Sequence, residues 1–223
     1  MKRQEVYTSG TLGDAFIISC KLYNNKFVRI FHNTAHRYWF SEISSIYRIF
    51  SPNVEIHFTD ENRRDLLEIN SSCHLQTKNM EFFPEFKTSG ILFIKRPYIV
   101  IQAHAGKLDG GNTKRLSYDT IYKLIDHFLP EIGIVLIGTD NFYGEVKKCL
   151  NLVKQTTIEM AFNVIATCDG FVGPEGLMAF FALSQKKDSI IFYRDIEAIK
   201  KRILGTPWEF HVIDMIRMDN IIY

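Results

Sequence analysis

The chain has 223 residues, 46% of them hydrophobic and 23% charged, a balance that excludes disordered and fibrous classes and suits one large α/β domain or two minimal ones. Its 27 Lys and Arg are scattered among 25 Asp and Glu for a net charge of +2, so no global field marks a general nucleic-acid binder and any anion site must be local. No run of about 18 apolar residues occurs, and the start lacks the apolar stretch of a signal peptide, so a cytoplasmic protein without a transmembrane segment is expected.

Apolar runs of strand length alternate with helical patterns throughout, as in parallel sheets covered by helices. In chain order the first half reads as a strand at Glu5–Thr8, a helix at Asp14–Asn24, a strand at Phe27–His32, a helix at His36–Phe50 and a strand at Val54–Phe58. A short helix is expected at Asn62–Asn70. The rhythm weakens from Ser71 to Pro97, where Pro84, Gly90 and Pro97 mark a crossover, and a domain boundary is expected near Lys95.

The second half restarts with a strand at Tyr98–Ala103, a helix at Tyr118–Leu129 and a strand at Ile132–Ile137. Helices at Phe142–Val153 and Ile158–Cys168 follow, then a strand at Asp169–Val172, a helix at Leu177–Ser184, a strand at Ser189–Tyr193 and a closing helix at Ile196–Leu204. The expected fold is α/β with two Rossmann-like halves, residues 1–95 and 96–223, with parallel sheets and a ligand cleft between them. Ligands in such folds bind beyond the carboxyl ends of the strands, so the loops there are the first places to look for chemistry.

After the first strand, Ser9-Gly10-Thr11-Leu12-Gly13-Asp14-Ala15 has two glycines that let backbone approach a ligand, then a helix start that favours negative charge. It is not the dinucleotide fingerprint, since no third glycine follows at the required spacing. Asp14 reads either as a first-turn carboxylate stabilising its own helix or as a general base for an acceptor hydroxyl.

The loop from Ala103-His104-Ala105-Gly106-Lys107 to Gly110-Gly111-Asn112-Thr113-Lys114-Arg115 is glycine-rich and carries three cations. Lys114 is a point charge for a phosphate, and Arg115 can grip two oxygens; the alternative is a solvated loop. His104 within it can donate to an anion or shuttle a proton, whereas His32, His36 and His127 read as structural or surface residues.

Asp169-Gly170-Phe171-Val172-Gly173-Pro174-Glu175-Gly176 leads a strand into an apolar helix, where Glu175 either accepts ribose hydroxyls or caps the helix. Ile137-Gly138-Thr139-Asp140 ends a strand where backbone commonly meets a base or ribose. Arg37-Tyr38-Trp39-Phe40 reads as core or interface, and Trp208 has no specific reading. Cys20, Cys73, Cys149 and Cys168 stand far apart with no metal-ligand spacing, so free thiols and no metal site are expected.

Taken together these loops resemble the GT-B glycosyltransferases, and within them the heptosyltransferase family that uses ADP-heptose. The resemblance rests on Leu12-Gly13-Asp14-Ala15, on Gln102-Ala103-His104-Ala105-Gly106 with Lys114-Arg115-Leu116, and on Val172-Gly173-Pro174-Glu175-Gly176-Leu177-Met178-Ala179 with Ile190-Ile191-Phe192-Tyr193. It departs from the family at Pro174 and Ala179, which stand for its Asp and His, and at Arg115, which stands for its aromatic residue.

The resemblance implies an inverting, metal-independent transfer from a nucleotide-diphosphate sugar to an acceptor hydroxyl of a glycan or other molecule, with no cofactor beyond the donor. Asp14 would be the base. Gly13, His104, Gly106, Lys114, Arg115, Gly138, Glu175 and Gly176 would bind donor and phosphate. The competing readings are a non-catalytic nucleotide- or sugar-binding module and a transferase acting on nucleic-acid bases, although the charge balance does not indicate nucleic acid.

Overall fold

The computed structural model describes residues 4–24, 28–35, 37–89, 94–105, 114–129, 131–139, 146 and 148–218. Gly106, Lys107, Gly110, His36 and Asp140 from the sequence reading lie outside this range. Packing divides the chain into two units. The first runs to Glu85 and includes Lys200–Pro207; the second comprises Phe86–Ile199 and the residues from Trp208 onward.

In the first unit β1 (Gln4–Ser9) is followed by α1 (Leu12–Leu22), β2 (Val28–Asn33), a single 3-10 turn at Arg37–Trp39, α2 (Phe40–Phe50), β3 (Glu55–Phe58) and β4 (Leu67–Glu68). The strands lie in the order β3-β2-β1-β4, all parallel. β2 alternates between buried Val28, Ile30 and His32 and half-exposed neighbours, the period of a sheet with one buried face. α1 buries nine of its eleven residues, so it is apolar nearly all round. α2 is amphipathic, burying Ile43, Ile46, Tyr47 and Phe50 at helical spacing, and its Phe50 ring meets Phe16 of α1 edge-on at 5.0 Å.

The helix expected at Asn62–Asn70 is absent. Arg63 instead forks onto Asp65 through Nε at 2.9 Å and Nη2 at 2.7 Å, closing a local turn, and Leu67–Glu68 pairs with Val6 and Tyr7. The segment lacks the apolar repeat that would hold a helix on the sheet, so pairing with the free edge of β1 prevails.

The second unit contains β5 (Tyr98–Gln102), β6 (His104–Ala105), β7 (Lys114–Arg115), α3 (Tyr118–Phe128), β8 (Gly133–Ile137), β9 (Leu150–Asn151), α4 (Ile158–Thr167), β10 (Gly170–Pro174), α5 (Leu177–Ser184), β11 (Asp188–Tyr193) and β12 (Val212–Arg217). α6 (Ile196–Arg202) begins here and ends in the stretch that packs with the first unit. The six-stranded sheet has the order β12-β11-β10-β5-β8-β9, again all parallel. β5 is buried from Tyr98 to Ile101 and β10 along its whole length, the continuous apolar run of central parallel strands covered on both faces.

Two sequence expectations are corrected here. The described part of Phe142–Val153 is not helical: Leu150 and Asn151 form an edge strand beside Val135 and Leu136, and Asn151 Oδ1 accepts the Val153 N–H at 3.0 Å, an Asx turn that diverts the backbone from a helix. The closing helix is not the last element, because β12 follows it and pairs with β11 from Ser189↔Val212 to Tyr193↔Arg217. Asp214 and Arg217 break the apolar run that marks a strand, which an edge position tolerates. Trp208 is fully buried and stacks over Phe180. All four cysteines are free, Cys149 half-buried and the others buried.

Candidate functional site

Strand order locates the crevices. In the first sheet the chain runs outward from β1 to β3 and then returns to the far side of β1 as β4, so the loops after β1 and β4 diverge. In the second sheet β8 and β9 lie on one side of β5 and β10 to β12 on the other, so the loops after β5 and β10 diverge. Such reversals open a ligand-sized gap at the carboxyl end of an open parallel sheet.

The reversal in the first unit holds Asp14. The β1–α1 loop is tied down where the Gly10 N–H donates to Asn33 O at 3.0 Å. Asp14, third in α1, accepts the Thr11 N–H at 2.7 Å and the Thr11 hydroxyl at 3.1 Å, both on Oδ2, as in a helix-start box. On the other oxygen, Arg202 Nη2 donates to Oδ1 at 2.8 Å and also reaches Ser71 Oγ at 3.2 Å. Ser71 belongs to the loop after β4, which Lys21 of α1 steadies by donating to the carbonyls of Asn70 at 3.0 Å, Ser72 at 2.7 Å and Leu75.

The Asp14 side chain is 15% exposed. Burial alone would push its carboxyl pKa up, but the Arg202 charge and hydrogen bonds from Ser71, Thr11 and Arg202 together hold it below the ordinary carboxylate value. His32 is fully buried beneath this loop, with Nε2 3.3 Å from Gly10 O and Nδ1 3.0 Å from the Tyr47 hydroxyl. Burial lowers its pKa against the pull of the Gly10 carbonyl and Asp14. The neutral ring therefore donates from Nε2 to Gly10 and accepts from Tyr47, a structural role.

Gly10 is required by geometry. Its φ is +128°, and a Cβ there would stand 2.4 Å from Asp14 Oδ2. Gly10→Ala is expected to destabilise the fold by about 2 kcal/mol, through strain at a positive φ and displacement of the carboxylate. A urea midpoint equal to that of the parent would contradict this reading. Gly13 is buried as the second residue of α1.

The reversal in the second unit gathers most of the remaining candidates. The two-residue strands β6 and β7 pair antiparallel, placing His104 opposite Arg115 and Ala105 opposite Lys114. Lys114 Nζ lies 2.8 Å from Glu175 Oε1, whose side chain is 2% exposed. The approach is off the direction of a hydrogen bond, so the contact is an ion pair and the buried Oε1 keeps its capacity to accept. The Lys114 ammonium also reaches the Glu175 carbonyl at 3.4 Å.

Glu175 therefore turns inward and does not cap α5, whose N-cap is Gly176 with no side-chain hydrogen bond. Gly176 has φ +155°, and a Cβ there would stand 3.3 Å from Ala105 Cβ. His104 is buried and bonds Thr139 Oγ1 through Nε2 at 3.0 Å, and Gly138, with φ +153°, lies against its imidazole. His104, Lys114, Arg115, Gly138, Glu175 and Gly176 thus form one cluster. Asp14 and Gly13 belong to the other unit.

Sequence reasoning missed Ser71 and Arg202, which stand 57 and 188 positions from Asp14. No local motif marks either. Among the described residues no group of three or more His, Cys, Asp or Glu could hold a metal ion, and no helix is long and apolar enough to cross a membrane.

No protein-family profile matches the sequence, and no curated protein matches it. Solved structures do match. The ADP-heptose LPS heptosyltransferase II of E. coli aligns with a TM-score of 0.58 at 12% identity, over 95% of this chain and 89% of that one. A family 9 glycosyl transferase from Veillonella parvula aligns with a TM-score of 0.57 at 9% identity, over 97% and 86%. The iron-containing dodecameric glycosyltransferase TibC from enterotoxigenic E. coli gives 0.56 at 12% identity, over 93% of this chain and 62% of that one, so the chain spans less than two thirds of TibC. TibC has also been solved with ADP-D-beta-D-heptose. At these identities the likeness is one of fold: the chain has the GT-B-like α/β fold of the heptosyltransferases, built on two parallel sheets.

Proposed function

We propose that the chain is a glycosyltransferase that moves a sugar from a nucleotide-diphosphate donor to an acceptor hydroxyl. The observation that carries this reading is the clustering of Lys114, Glu175, Gly176, His104 and Gly138 at the topological reversal of the second sheet, in a fold shared with sugar-nucleotide transferases. The Lys114 ammonium and Arg115 neutralise the diphosphate, the bare backbone at Gly176 admits its approach, and Glu175 Oε1 accepts a ribose hydroxyl. An ADP-linked sugar is the first donor to try, since TibC was solved with one.

In this reading the acceptor binds the first unit, where Tyr7, Asn62, Arg63, Arg64, Leu66 and Glu68 line a cavity of about 350 Å³. The acceptor oxygen bonds to the anomeric carbon as the bond from that carbon to the diphosphate oxygen breaks. The bonding pair leaves with the nucleoside diphosphate, and the acceptor proton passes to Asp14. The single displacement inverts the anomeric centre, and cationic side chains take the part that a metal plays elsewhere.

A second reading, donor binding without transfer, is favoured by one observation: Asp14 already accepts from Thr11, Arg202 and Ser71. Thermal shift against ADP, UDP, GDP, CMP and their sugar conjugates tests what the two readings share, because a ligand of the native state raises the melting temperature. A shift with one nucleoside diphosphate that is lost in Lys114→Met is the expected result. No shift with any of them counts against both readings.

A further inference from the structure

We infer that Arg202 is a positioning residue for Asp14, fixing Oδ1 so that Oδ2 is the atom that takes the acceptor proton. The inference rests on the transferase reading above and extends it to a residue far away in sequence. Arg202 lies in the Lys200–Pro207 stretch that packs with the first unit. Its Nη2 bridges Asp14 Oδ1 at 2.8 Å and Ser71 Oγ at 3.2 Å, with 24% of its side chain exposed. The stretch is itself anchored, since the Cys73 N–H donates to Lys201 O at 2.7 Å. Helix α1, the loop after β4 and the end of α6 therefore meet at one carboxylate.

The two carboxylate oxygens differ in how easily they give up a partner. Oδ1 is held by a charged donor in a largely buried pair, which is expensive to break. Oδ2 is held by the Thr11 N–H, which the helix start fixes, and by the Thr11 hydroxyl at 3.1 Å, a longer contact than the 2.7 Å of the Thr11 N–H or the 2.8 Å of Arg202. A hydroxyl rotates freely about its C–O bond, so an acceptor O–H can take its place at little cost. The proton then moves from the acceptor oxygen to Oδ2 as the glycosidic bond forms and the nucleoside diphosphate departs. The Arg202 charge keeps the carboxylate ionised and ready until that step.

Among the described residues few groups face this carboxylate. From α6 there is Arg202, from the loop after β4 Ser71, from β2 the neutral His32 and from α2 the Tyr47 phenol, whose ionisation burial and Asp14 both oppose. Cys73 stands beyond Arg202, its pKa pushed up to about 12 by burial. Tyr47 and Cys73 keep their protons in acid, but burial lowers the pKa of His32, so the acid titration is assigned to Asp14 at its own carboxyl carbon.

The test compares Arg202→Gln and Arg202→Lys with the parent protein by two readouts. The first is the 13C carboxyl titration of Asp14, assigned by its loss in Asp14→Asn, which does not depend on turnover. The second is the pH profile of transfer from the donor selected by thermal shift.

Arg202→Gln is expected to move both the carboxyl titration and the acid limb of kcat to higher pH, and to lower kcat roughly 10–100-fold with the donor KM unchanged. Arg202→Lys, which keeps the charge and loses the planar guanidinium, should restore the limb and only part of kcat. A carboxyl titration that stays in place in Arg202→Gln overturns the inference. So does a titration that moves while the acid limb does not, since Arg202 would then act on Asp14 without acting on catalysis. Absence of transfer by the parent protein with every donor fails the transferase reading itself, and the inference with it, while the carboxyl titration still reports the Arg202 contact.

Discussion

Asp14→Asn is expected to lower kcat by roughly a thousandfold, the contribution of a positioned general base, while leaving the thermal shift caused by the nucleoside diphosphate intact. The same substitution should destabilise the fold by about 3 kcal/mol, because it leaves Arg202 partly buried without its carboxylate. The two effects separate by measurement: turnover reports the base and the urea midpoint reports the ion pair. Retained turnover in the folded variant would falsify the assignment of Asp14 as the base and leave it as the keystone of its helix start.

The acid behaviour follows from the same carboxylate. Its folded-state pKa lies below the ordinary 3.8, so the stability it contributes is fully present above 3.8 and is lost as pH falls through the lower folded value. Asp14→Asn should remove that part of the acid sensitivity.

Lys114→Met is expected to destabilise the protein by about 3–5 kcal/mol and to abolish the shift caused by nucleoside diphosphate. Removing the ammonium strands the Glu175 carboxylate, only 2% exposed, without a counter-charge. Adding Glu175→Gln should recover much of that stability while leaving diphosphate binding weak, so a double-mutant cycle separates the structural role of the pair from its ligand role. Single-site loss of Lys114 cannot make that distinction. Equal melting temperatures for Lys114→Met and the parent would show that the pair is not formed as described.

The alternation of strands and helices was legible because buried parallel strands such as Tyr98–Ile101 are apolar runs and helices such as α2 and α3 show one apolar face. What escaped was held by tertiary contacts. Leu67–Glu68 and Leu150–Asn151 are two-residue strands, too short to carry a period, and Val212–Arg217 is an edge strand interrupted by charge.

The site divided in the same way. Gly10, Asp14, His104, Lys114, Glu175 and Gly176 were legible because they follow strands, and the strand order then placed their loops at reversals. The inward turn of Glu175 and its pairing with Lys114, 61 residues earlier, were not, since Glu175 alone reads as a ribose contact or a helix cap and Lys114 as a phosphate contact or a solvated loop charge. Arg202 sits beside Lys200 and Lys201 in the last turn of α6, where cations favour the helix end whatever else they do. Only the packing of that stretch with the first unit singles it out.

The transferase reading is decided by incubating the purified protein with ADP-, UDP-, GDP- and CMP-linked sugars, water serving as the acceptor hydroxyl, and following free nucleotide and free sugar by mass spectrometry. Release is expected from one nucleotide-diphosphate sugar, reduced about a thousandfold in Asp14→Asn. Donor binding without release from any of them would contradict that reading and make the chain a sugar-nucleotide-binding protein.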